Sequence, residues 1–211
     1  MTSPLTGPPA ARREVVAHAL RVKQIATVAD LAAHLSMAPE TVDAHLAALA
    51  DAGEASIRER HQLWQLTALG TTRHDGWLAS EAARGPGVGL VRRAYDEFLP
   101  LNTILKEQCG RWQLRDGRPN DHGDAAYDAA VLDVLAEIDG RTADVLAAMS
   151  TALPRLSGYR PRLAAALDRV RQGDGNAFTG VLCDSYHDIW MDLHQDLILT
   201  LGIDRRTEGS A

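Results

Sequence analysis

Residues 27–66 restrict what this chain can fold into more than any other stretch. Thr27 and Asp30 have the spacing of a capping box, in which each residue satisfies a backbone N–H of the other, so a helix is predicted to begin there. Leu31 and Leu35 continue it. Pro39 suits the first turn of a second helix, where its missing N–H is not needed. Val42, Leu46 and Leu49 recur at helical spacing and give that helix one apolar face. Gly53 stands where a left-handed stop is expected. Trp64 and Leu66 then share one side of a strand, with Leu63 and Gln65 on the other. Upstream, Val15, Val16, Ala19 and Leu20 suit a first helix that closes a small core. The predicted order is helix, tight turn, helix, two-stranded ribbon.

This order resembles MarR-like winged helix-turn-helix transcriptional regulators, over roughly residues 12–82. The resemblance implies that the second helix, 39–51, enters the major groove of DNA and that the ribbon touches the minor groove or backbone. Pro39, Glu40, Thr41, Asp43, Ala44 and Ala47 would then lie on or beside the reading face, and Arg58 to Gln62 would form the wing tip. Arg12, Arg13, Arg58, Arg60 and His61 would grip phosphates. The sequence departs from the family pattern where Asp43 and Ala44 replace the frequent Ser and Arg. Glu40 and Asp43 put negative charge on the presumed reading face, which opposes phosphate attraction. An acidic side chain accepting from a cytosine amino group is the less common base contact. The alternative is a winged helix kept as a protein-interaction module without DNA binding. Thr67 to Ala83 is predicted as a linking helix.

The remaining chain reads as helix. Its 211 residues are 45% hydrophobic, and Ala, Leu, Asp and Arg dominate, which favours helices over sheet. The fold class expected is mainly α: an N-terminal winged helix plus a C-terminal all-helical domain. The domains expected are a disordered tail at 1–11, a DNA-binding domain at 12–84 and a helical effector-binding and dimerisation domain at 90–203. The breaker cluster Gly85-Pro86-Gly87-Val88-Gly89 separates the two domains. Four helical stretches follow, roughly 90–115, 123–152, 159–172 and 176–202. This part resembles only uncharacterised actinobacterial regulators, a likeness that supplies no ligand. The net charge is −6, and residues 1–84 hold 8 Lys and Arg against 9 Asp and Glu, so the acidity lies mainly in the second part. No run of about 18 apolar residues exists, so no membrane partner is expected. The opening residues lack a basic-then-apolar signal layout, and a cytoplasmic location is expected.

Several residues of the second part are candidates for holding an effector. Tyr95, Phe98, Asn102, Leu105, Cys109 and Trp112 share one helical face, with Lys106 beside Asn102. This is either an ordinary core seam with one satisfied amide or a pocket wall. Cys183, His187, Trp190, His194, Leu197 and Leu201 share another face, next to an acidic ridge of Asp184, Asp188, Asp192 and Asp196. Like charges four apart need an offset, and the arginines of the preceding segment (Arg160, Arg162, Arg169, Arg171) are the first choice. In the link from Asn120 to Asp128, Asp121 or Asp124 suits a cap of the helix that follows, whereas His122, Tyr127 and Asp128 suit the mouth of a helical pocket. The effector set expected is thus Asn102, Lys106, Cys109, Trp112, His122, Tyr127, Asp128, His187, Trp190 and His194. Cys183 and His187 at i, i+4 also fit two metal ligands on one helix, and Cys109 with Cys183 fit a redox pair, which keeps a metal- or redox-sensing protein among the alternatives. The sequence carries no phosphate loop, nucleophile elbow or strong metal signature, so no enzyme and no cofactor are expected. Double-stranded DNA, a small-molecule effector and a second copy of the chain are the partners expected.

Overall fold

The computed structural model describes the backbone of residues 9–84 and 87–204, and side chains from Arg13 onward. Residues 1–8, which are most of the tail expected at 1–11, the Arg12 side chain, Gly85 and Pro86, and residues 205–211 lie outside the described residues. The chain divides into two compact units, Met1–Gly85 and Pro86–Ala211. Both are mainly helical, each with one small two-stranded sheet. Among the described residues, no helix is long and apolar enough to cross a membrane.

The first unit runs α1 (Pro9–Lys23), α2 (Val28–Leu35), α3 (Pro39–Asp51), β1 (Ala55–Arg58), β2 (Leu63–Leu66) and α4 (Ala68–Ala83). Helix α1 begins within the stretch expected as a tail. The local signals explain the order. Thr27 Oγ1 accepts from the Asp30 N–H at 3.1 Å, and Asp30 returns the bond to the Thr27 N–H at 2.8 Å, which closes the capping box. Ser36 in a left-handed conformation ends α2, and Pro39 opens α3. Val42, Leu46 and Leu49 are buried against Val16, Leu20 and Leu31, so one stripe of each helix builds the core. Strands β1 and β2 pair antiparallel, Ala55 with Leu66 and Ile57 with Trp64. Ala26 adds a bridge to Trp64, with N–H to O distances of 3.1 and 2.8 Å, and so ties the α1–α2 link to the ribbon.

Gly70 fixes where α4 lies. A Cβ built on it would sit 1.9 Å from the Glu54 carbonyl oxygen, so only glycine lets α4 approach the α3–β1 link so closely. Thr67 holds the same corner, donating to the Gly53 carbonyl at 2.7 Å and capping α4 through the Gly70 N–H at 3.1 Å.

The second unit runs α5 (Gly87–Gln113), β3 (Leu114–Arg115), β4 (Arg118–Pro119), α6 (Ala125–Ala152), a 3-10 turn (Pro154–Gly158), α7 (Tyr159–Arg171), α8 (Asn176–Thr179) and α9 (Tyr186–Leu201). Helices α5 and α6 pack most extensively, and α7 and α9 complete the core around Phe98, Leu135, Leu146, Leu163 and Trp190. Two expectations need correction. A hairpin follows α5, where the sequence reading saw no strands. Asp116 and Gly117, at φ 50° and 73°, turn it, as a two-residue hairpin loop with both φ positive requires. The helix expected over 176–202 is broken by 180–185. Ser185 caps α9 through the Asp188 N–H at 3.1 Å and donates to the Gly180 carbonyl at 2.6 Å. Leu182 and Asp184 in this link have positive φ.

Arginines meet Asp184, Asp192 and Asp196 of the acidic ridge, though not the full set of arginines expected, and Asp188 accepts from the Cys183 N–H at 3.1 Å. Arg162 reaches Asp184 and Asp192 at 2.9 and 3.2 Å. Arg155 of the 3-10 turn binds Asp196 and Thr200. Arg160 instead makes a two-pronged pair with Asp139, at 2.6 and 2.9 Å, and Arg171 pairs with Asp168. Arg169 binds Asp174 and the Cys183 and Asp184 carbonyls.

Candidate functional site

The face of α3 turned away from the core carries Glu40, Asp43, Ala44 and Ala47, all exposed, with Thr41 half-buried beside them. Pro39 opens the helix and is exposed. The ribbon ends in a 3-10 turn, Glu59–His61, closed by Gln62 at φ 52°. Arg60 and His61 are exposed at this tip. Arg58 donates to the Gln65 side chain across the ribbon at 2.9 Å. Arg13, also expected to grip phosphate, has an acidic partner in the fold. Its guanidinium donates to the Glu54 carboxylate, in the α3–β1 link, at 2.7 Å.

That pair, with Glu14, lines a groove of about 790 Å³ between α1, α3 and α4. Ala17, Ala48, Leu49 and Trp77 give it apolar walls, and Arg73 and Arg84 stand at its α4 side. His74 lines the groove, although the residue is only 3% exposed. Its Nε2 lies 2.8 Å from Nδ1 of the equally buried His18, and the two rings stack with centroids 5.1 Å apart. Trp77 packs on both, 5.4 and 5.9 Å from them. Burial, with the neighbouring His18 next, pulls the His74 pKa down from 6.5 to about 4. His74 Nδ1 makes no hydrogen bond among the described residues and sits 3.5 Å from the Asp75 carboxylate. That carboxylate favours a proton on Nδ1, which leaves Nε2 to accept from His18. Sequence reasoning missed this cluster, because His18 and His74 are 56 positions apart and no local pattern joins them.

The ten residues expected to hold an effector fall into separate groups. Asn102 accepts from Trp190 Nε1 at 2.9 Å, and Trp190 stacks on Phe98 at 4.7 Å. His194 meets the Tyr95 hydroxyl at 3.2 Å. These groups satisfy one another inside the core, as the seam reading of that helix has it. A second group lies where the 120–128 link folds back on α5. His122 packs against Trp112 at 4.4 Å and contacts Asp128 at 2.9 Å. Asn120 donates to Asp128 at 3.0 Å, and Tyr127 donates to the Arg111 carbonyl at 3.2 Å, with Arg115 over its ring. Asp124 caps α6, and its backbone and Arg115 hydrogen bonds lower its pKa. Lys106 is exposed, away from the core seam.

The thiols also change place. Cys183 sits in the 180–185 link, so it and His187 do not share a helix. Both cysteines are free. Cys109 is buried and its pKa is pushed up to about 12 by desolvation, which makes it a poor thiolate. His187 is half-buried, and burial lowers its pKa. Among the described residues, no three His, Cys, Asp or Glu side chains gather as metal ligands. Comparison with protein-family models, curated proteins and solved structures finds no match.

Proposed function

We propose that this protein is a DNA-binding transcriptional regulator, with its first unit acting as a MarR-like winged helix-turn-helix and its second unit serving dimerisation and effector response. One observation carries the reading. Helix α3, opened by Pro39 after the Thr27–Asp30-capped α2, presents a solvent face of small and acidic residues, and the ribbon that follows holds Arg60 and His61 at its exposed tip. A helix of these dimensions fits a major groove, and a basic ribbon tip fits the neighbouring backbone. A homodimer would place two such helices about one helical turn apart on a pseudo-palindrome. Ligand binding that changes the spacing of the two helices would shift the population between engaged and disengaged states.

Selection of genomic fragments on the purified protein tests this. Enriched fragments should share two related half-sites, and Ala44→Glu on the exposed α3 face should abolish the enrichment without loss of helix signal in circular dichroism. Enrichment equal to that of the Ala44→Glu variant would refute the reading.

The acidic character of Glu40 and Asp43 favours a second reading, in which the same face docks a basic protein segment. Under that reading the protein captures basic peptides and shows no duplex affinity at low salt.

A further inference from the structure

We infer that His122 of the second unit is a phosphoryl acceptor, its Nε2 taking the group from a small acyl phosphate while Arg115 and Arg118 hold the phosphoryl oxygens. The Asp128 carboxylate lies 2.9 Å from His122 Nδ1 and can only accept a hydrogen bond. The proton of the neutral ring therefore sits on Nδ1 and the lone pair on Nε2. Asp128 is held in turn, its other oxygen accepting from Asn120 Nδ2 at 3.0 Å. Asn120 also donates to the Trp112 carbonyl at 3.2 Å and accepts from the His122 N–H at 3.2 Å. The Trp112 ring, its centroid 4.4 Å from that of the imidazole, packs against it. A carboxylate behind an imidazole, steadied by a third group, fixes the tautomer and offsets the charge that the ring gains when it reacts.

This imidazole is also accessible. The His122 side chain is 42% exposed, and Nε2 makes no hydrogen bond among the described residues. His74, which has Asp75 beside it, has no exposed side-chain surface.

The neighbouring cations suit phosphoryl oxygens. Asp124 and Asp128 are one turn apart on α6, about 5–6 Å between Cβ atoms, so Arg115, bonded to Asp124 at 3.0 Å, is a neighbour of His122. Arg118 is the cross-strand partner of Arg115 in the β3–β4 hairpin, and side chains directly opposed share a face. Like charges so placed repel, and Arg118 makes no hydrogen bond or ion pair among the described residues. An oxyanion between them relieves that repulsion and meets two guanidinium forks. The carboxylates nearby have partners in the link itself. Asp124 caps α6 and binds Arg115, Asp121 accepts from the Gly123 N–H at 3.0 Å, and Asp128 holds the imidazole. Asp116, in the turn between the arginines, is exposed and pairs with neither among the described residues.

The transfer balances without a proton moving. The Nε2 lone pair forms the N–P bond as the bond from phosphorus to the bridging oxygen breaks, and the carboxylate leaves with that electron pair. The ring keeps its Nδ1 proton and becomes positive, and Asp128 offsets that charge. His122 forms the bond; Asp128 and Asn120 are positioning residues.

The probe is acetyl phosphate, incubated with the full-length protein at pH 7.5 and followed by intact mass, with peptides mapped under alkaline conditions that preserve phosphohistidine. The expected result is one phosphoryl group per chain, on His122, gained about tenfold or more faster than on the exposed His61. His122→Gln should remove it. Asp128→Asn should slow it about tenfold or more. Nitrogen NMR of the imidazole should show Nδ1–H in the native chain and mixed tautomers in Asp128→Asn, a change that altered packing alone would not produce. Arg118→Gln, at an exposed site, should slow the reaction about threefold, and Lys106→Gln should leave it unchanged. Labelling of His122 no faster than of His61 overturns the inference. So does an acetyl group in place of a phosphoryl group, an Nε2–H tautomer in the native chain, or a native rate in Asp128→Asn. A native rate in Arg118→Gln refutes the part given to the arginines. None of these measurements involves DNA, so the regulator reading stands or falls separately.

Discussion

Acidification should weaken the first unit through His74, by an amount the structure sets. His74 is buried against His18 and Trp77, with Asp75 and Arg21 as the nearby charges, and its pKa falls from 6.5 to about 4. A folded-state pKa below the unfolded value means that the unfolded chain takes up a proton first. Stability from this group is complete above about pH 6.5 and is lost as pH falls through the window from 6.5 to about 4. Linkage converts the shift to a loss of about 1 kcal/mol at pH 5.5 and roughly 2 to 3 kcal/mol at pH 4.5, relative to pH 7.5. Urea unfolding followed by circular dichroism at each pH, for the native chain and for His74→Gln, measures the difference. The glutamine keeps a polar group near His18 but does not titrate. The native chain should lose more stability on acidification than the variant, by about those amounts. Equal losses in both proteins would show that His74 is not held neutral by its surroundings.

Two substitutions test the packing that positions the groove and the second core. Gly70→Ala should cost about 2 kcal/mol or more, since its methyl group meets the Glu54 carbonyl at 1.9 Å and backbone must move; thermal unfolding reads it, and an unchanged Tm would contradict the close approach. Arg155→Met should cost about 3–5 kcal/mol, because Asp196 stays buried without its cation, and adding Asp196→Leu should restore much of that loss in urea unfolding.

What could be read from the sequence was whatever depends on neighbours along the chain. Thr27 with Asp30, Pro39, Gly53 and the stripe of Val42, Leu46 and Leu49 each act within a turn or two, and the first unit has them where expected. The seam from Tyr95 to Trp112 is likewise one buried face, with Asn102 satisfied by Trp190. The break before α9 was also written locally, in Ser185 and Asp188, but the i, i+4 pattern running through Cys183 and His187 masked it. The Asp116-Gly117 turn was missed because its strands are two residues long, too short for any alternation to register. The groove was not legible at all. It exists because Gly70 lets α4 approach the Glu54 backbone, which brings Trp77 and His74 onto α1. The Arg13–Glu54 pair was not legible either; its members lie 41 positions apart.

Fluorescence anisotropy of a labelled duplex, taken across a salt series, tests the central claim most directly. The account predicts measurable affinity at low salt and a linear fall of log affinity with log salt. For a dimer, Arg60→Ala should flatten that slope by about 2, one phosphate contact per protomer. No binding at low salt, or a slope that Arg60→Ala leaves unchanged, would contradict it.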